Sequence, residues 1–96
     1  MKIIEKIGMQ AMMEQLAEES AELCQSALKV ARILGGKNPT PNTAEEAKAN
    51  LTEEIADVFL CVELLKDHGE VQIRDIQSIM SAKLKRWESR LEQSVK

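Results

Sequence analysis

A chain of 96 residues holds one domain, and 16 Asp and Glu against 13 Lys and Arg leave a formal charge of −3, which excludes a grip on nucleic acid by phosphate neutralisation. Phe59 and Trp87 are the whole aromatic content, too little for base-stacking platforms, while Cys24, Cys61 and His68 are too few and too scattered for a zinc site. Hydrophobic residues at 44% suffice for a core, so the chain folds.

The N-terminal residues Met1-Lys2-Ile3-Ile4-Glu5-Lys6 contain no apolar run of signal-peptide length, and no stretch approaches the roughly 20 apolar residues of a membrane span. Cys24 and Cys61, on apolar helix faces, read as buried thiols of a reducing compartment. The expectation is a cytoplasmic protein with no membrane and no nucleic-acid partner.

After a short turn ending near Gly8, the spacing predicts a helix over 9–34, with Met12, Leu16, Leu23, Ala27, Val30 and Leu34 at three- and four-residue steps. Gly35, Gly36, Pro39 and Pro41 make residues 35–42 a loop. A second helix begins at Thr43, an N-cap with Glu46 three residues on as a capping box, and runs to about Asp67. Gly69 breaks the chain. The third helix covers 72–93 and carries Ile73, Ile76, Met80, Leu84, Trp87 and Leu91 as one stripe. The expected fold is all-α, three long helices in one domain over 1–96.

The second helix bears on assembly. Leu51, Ile55, Val58, Val62 and Leu65 form one apolar stripe, yet Phe59, Leu60, Cys61 and Leu64 extend apolar surface nearly all round it. A helix apolar on every side must be buried on every side. The expectation is a homodimer or homotetramer in which four-helix bundles are completed between chains.

The chemistry lies in a local repeat. Leu16-Ala17-Glu18-Glu19-Ser20-Ala21-Glu22-Leu23 is echoed by Leu51-Thr52-Glu53-Glu54-Ile55-Ala56-Asp57-Val58. In each, the second Glu and the last acid are three residues apart, on consecutive turns at the margin of the apolar stripe. If the two helices are antiparallel neighbours, Glu19, Glu22, Glu54 and Asp57 face one another. Four carboxylates in one place repel unless a cation sits among them. All-oxygen ligation suits Mg²⁺, with Mn²⁺ as substitute, and a di-iron bundle would need Glu-x-x-His. Single acidic pairs on helices are ordinarily solvated surface; it is the matched pair of pairs that points to a metal site for phosphate chemistry. On the last helix, Lys83, Arg86 and Arg90 fall along one flank of the stripe, with Lys85 on the other. They read either as bases favoured by the helix C-terminus or as a clamp for phosphate oxygens. Lys29, Arg32 and Lys37 are candidates to assist.

Glu19-x-x-Glu22 followed by Glu54-x-x-Asp57, on successive helices of a short all-α chain, resembles the MazG-like nucleoside triphosphate pyrophosphohydrolases of the all-α NTP pyrophosphatase superfamily. The resemblance takes in the Gly/Lys/Pro loop and the last helix with Lys83 and Arg90. It implies Mg²⁺-dependent hydrolysis of a nucleoside triphosphate to monophosphate and pyrophosphate, with the four acids holding the metal. It also implies that Lys83 and Arg90 contact the triphosphate, and that dimers or tetramers form through intersubunit bundles. Trp87 stands where many relatives have Asn, and Leu91 where many have Tyr. The sister family of phosphoribosyl-ATP pyrophosphatases has Tyr-His where this chain has Leu60-Cys61, so that activity ranks as the alternative. A non-catalytic oligomeric helical scaffold is the non-enzyme alternative. Glu18 and Glu53, each next to a metal-ligand candidate, read either as the catalytic base that orients water or as solvent-facing helix residues.

Overall fold

A computed structural model describes residues 2–95 as four helices. Helix α1 is a short piece, Ile3–Ile7, closed by Gly8 at φ 90°, a backbone region that glycine enters without steric cost. Helix α2 follows directly as Met9–Gly35 and ends at Gly36, whose left-handed conformation turns its N–H back to the Arg32 carbonyl. Helix α3, Ala44–Asp67, starts at the expected capping box. The Thr43 hydroxyl accepts from the Glu46 N–H at 3.1 Å, and the Glu46 carboxylate accepts from the Thr43 N–H at 3.1 Å. That pair of bonds holds the Glu46 carboxyl below its ordinary range. Helix α4 is Ile73–Val95. The all-α class and the three long helices agree with the sequence.

Helices α2 and α3 pack side by side and antiparallel: Met12 shares a buried cluster with Leu65, Glu19 meets Asp57, and Ser26 meets Asn50. At one end Ile4 of α1 folds onto Met12, Cys61 and Leu65, with Met9, Leu16, Leu64 and Val71 against them. The buried side of α2 runs through Met12, Leu16, Glu19, Leu23, Ser26, Val30 and Ile33, alternating four- and three-residue steps as in a coiled-coil seam. This corrects the expected stripe. Ala27 and Leu34 are exposed, one residue off the seam, and so is Cys24; only Cys61 is a buried thiol.

One polar pair is built into this seam. Ser26 is buried, and its hydroxyl accepts from Asn50 Nδ2 at 3.2 Å. Ser26 lies one turn after Glu22 and Asn50 one turn before Glu54, so the bond fixes the register in which the acidic pairs meet. Replacing Asn50 by Ala withdraws a donor from a buried hydroxyl and is expected to cost about 1–3 kcal/mol in urea unfolding. The double change Ser26→Ala with Asn50→Leu removes both partners and should restore most of that loss.

Among the described residues, helix α4 forms no comparable packed layer with α1–α3, and from Gln77 to Ser94 it is exposed throughout. Met80, Leu84, Trp87 and Leu91 are each more than half exposed, as is Phe59 on α3. The radius of gyration is 17.2 Å, where a compact chain of this length would have about 12.5 Å. The accessible surface is 7696 Å², against roughly 5,500 Å² for a compact monomer of this mass. The apolar surface around α3 therefore divides in two: Cys61 and Leu65 face inward, while Phe59 and Leu60 face outward. Among the described residues, no helix is long and apolar enough to cross a membrane.

Candidate metal centre

Antiparallel packing with the Ser26–Asn50 register brings Glu19 and Glu22 of α2 against Glu54 and Asp57 of α3. One oxygen from each of the four lies within 4.8 Å of the others. The two-helix geometry achieves this because each pair is spaced by three residues, so both members lie on the flank facing the other helix. Gln15, one turn before Glu19, donates from Nε2 to Glu19 Oε1 at 2.7 Å. The other oxygen of Glu19, Oε2, is buried with no hydrogen-bond partner among the described residues, and so is Glu54 Oε2.

The electrostatics are those of a crowd of like charges. Burial, then the Glu22 and Asp57 carboxylates, raise the Glu19 carboxyl above its ordinary range. Glu22 is raised first by the Glu54 carboxylate and then by burial. Cys61, one turn beyond Asp57, has its thiol pushed up by burial, then by Glu19 and Asp57. Among the described residues, no Lys or Arg forms an ion pair with any of the four acids.

These residues fit a divalent cation. Oxygens around Mg²⁺ at 2.0–2.1 Å stand about 3 Å apart when adjacent and about 4.2 Å when opposite, so a cluster within 4.8 Å needs little contraction. The two orphaned buried oxygens supply acceptors that nothing among the described residues satisfies, and their desolvation is costly without a partner. Hard, all-oxygen donors suit a hard cation better than softer metals.

Of the other residues singled out by sequence, Glu18 and Glu53 are exposed and outside the cluster. Lys83, Arg86 and Arg90 are exposed on α4, and Arg32 and Lys37 are exposed near the first loop. Sequence reasoning missed Gln15 and the Ser26–Asn50 pair. Both sit one turn from an acid of the cluster, and extending the acidic ladder by one turn in each direction would have found them.

The family model of the MazG nucleotide pyrophosphohydrolase domain matches residues 8–90. Neither the curated proteins nor the solved structures gave a match. Residues 8–90 take in α2, α3, both acidic pairs and most of α4, and by that match the chain belongs to the MazG nucleotide pyrophosphohydrolase family.

Proposed function

We propose that the protein hydrolyses a nucleoside triphosphate to the monophosphate and pyrophosphate, with Mg²⁺, or Mn²⁺ in its place, held by Glu19, Glu22, Glu54 and Asp57. The observation that carries this reading is the convergence of four carboxylates with two orphaned buried oxygens, in a chain of this family. Bound there, the ion supplies charge neutralisation for phosphate oxygens and lowers the pKa of water. Gln15 holds the Glu19 carboxylate in place. A water oxygen bonds to the α-phosphorus, the bond from that phosphorus to the bridging oxygen breaks, and pyrophosphate leaves with the electron pair. Glu18 and Glu53 are exposed, outside the cluster and next in sequence to the proposed ligands Glu19 and Glu54, and one of them takes the water proton. Gln in place of that residue should lower kcat by about a hundredfold or more while leaving Mn²⁺ affinity intact, and Gln at the other should change neither.

Lys83, Arg86 and Arg90 bind the triphosphate. They lie on a helix that stands apart from α2 and α3, and assembly brings them to an acidic site. A second copy covers the α4 stripe and Phe59, giving a homodimer or homotetramer. The support is the surplus surface, roughly 2,000 Å² above a compact monomer, which exceeds the roughly 800 Å² per partner of a standard stable interface. Incubation with ribo- and deoxyribonucleoside triphosphates and Mg²⁺ tests the activity directly. Monophosphate and pyrophosphate are the expected products, and no turnover of any triphosphate would overturn the reading.

A further inference from the structure

The seam between α2 and α3 is layered. Met12, Cys61 and Leu65 pack at one end, the four carboxylates follow, and Ser26 with Asn50 comes next. Beyond them, toward the loop, Val30, Ile33 and Ala47 line a cavity of about 40 Å³. The acidic layer is thus held from both sides, but by different means. Apolar contacts are non-directional and let one helix slide along another. The bond from Asn50 Nδ2 to the Ser26 hydroxyl is directional, and Ser26 is only 2% exposed, so bulk water does not take Asn50's place. Repulsion among the four carboxylates works against this clamp in the metal-free protein.

We propose that Ser26 and Asn50 are positioning residues of the cation site: their bond sets the axial register of α2 against α3 at which the four carboxylates share one ion. The inference rests on the metal reading above. A slide by a single residue's rise carries Glu54 and Asp57 about 1.5 Å along Glu19 and Glu22. Mg²⁺ holds its oxygens at about 2.0–2.1 Å in near-octahedral order, and a binding constellation tolerates displacements of only about 0.5 Å. The smallest slip therefore spoils the site. Glu22 stands four residues before Ser26, and Glu54 four residues after Asn50, so the bond lies one helical turn from one acid of each pair. Ser26 and Asn50 are outside the cluster themselves and act through those two acids.

Mn²⁺ titrations followed by electron paramagnetic resonance, run beside thermal melts, separate positioning from simple stabilisation. Asn50→Ala should weaken Mn²⁺ binding roughly ten- to hundredfold, the usual effect of losing a group that orients a metal ligand. Ser26→Ala with Asn50→Leu should recover the melting temperature yet bind Mn²⁺ as weakly as Asn50→Ala, because an apolar pair fixes no register. Exchanging the two, Ser26→Asn with Asn50→Ser, rebuilds the bond in reverse and should return most of the lost Mn²⁺ affinity. An apolar double variant that binds Mn²⁺ like wild type would overturn the proposal. So would an exchanged pair that melts like wild type yet binds no better than Asn50→Ala. Variants that bind in the expected pattern, in a protein that hydrolyses no triphosphate, would refute the activity and uphold the positioning role. A wild type with no Mn²⁺ site would overturn both.

Discussion

Replacing Glu22 by Gln should lower triphosphate hydrolysis a thousandfold or more and, in the same protein, raise the melting temperature of the metal-free form at pH 7. The two effects share one cause. Glu22 carries its charge against Glu54, and burial adds to the cost, so its carboxyl is raised in the folded state. A carboxyl raised above its ordinary 4.5 favours folding while protonated. That contribution is complete below about pH 4.5 and is lost as pH rises through the folded value. At pH 7 the metal-free protein therefore bears uncompensated repulsion at Glu22 and Glu19, and the neutral amide relieves it. The same amide removes a proposed metal ligand, and metal charge stabilisation is worth several kcal/mol in phosphoryl transfer, at about 1.36 kcal/mol per tenfold in rate. Scanning calorimetry from pH 4 to 8 provides the check. The gap between metal-free and Mg²⁺-loaded wild type should widen as pH rises, and at a hundredfold excess over Kd the ion should add about 2.7 kcal/mol. A Glu22→Gln protein less stable than wild type without metal would show that repulsion does not govern this site.

If the proposed homo-oligomer forms, replacing Trp87 by Asp should convert it to a monomer without unfolding the chain, and hydrolysis should fall with it. Trp87 is 61% exposed within one chain, so the substitution disturbs little inside the subunit. Large aromatic anchors at interface centres are worth 2 kcal/mol or more, and a two-fold interface uses each anchor twice. Dissociation should therefore strengthen about a thousandfold, which light scattering after size exclusion would read. Helical content by circular dichroism should stay close to wild type. A wild-type protein that is a monomer at micromolar concentration would contradict the assembly outright.

Much of the fold was legible because its rules are local. The Thr43–Glu46 capping box depends on four consecutive residues, and the breaks at Gly8, Gly36 and Gly69 are all glycines at positive φ. The acidic cluster was legible for a related reason: a three-residue spacing needs only a helix, and a short loop between two helices makes them antiparallel neighbours. The seam of α2 was less so. Ser26 and Ala27 compete for one position, and hydropathy favours Ala27, but the hydrogen bond from Asn50, 24 residues away, decides for Ser26. Helix α4 shows its apolar stripe plainly, but a stripe does not say what covers it. The seat of α1 was invisible to periodicity because the helix is five residues long and owes its position to Ile4 packing on Met12, Cys61 and Leu65.

The central claim is that the two matched acidic pairs make a cation site at which water attacks the α-phosphorus of a nucleoside triphosphate. Hydrolysis with Mg²⁺ in ¹⁸O-labelled water, followed by mass spectrometry of the products, tests it most directly. The predicted result is one labelled oxygen in the nucleoside monophosphate and none in pyrophosphate. Label in pyrophosphate, or orthophosphate released with a nucleoside diphosphate, would contradict it.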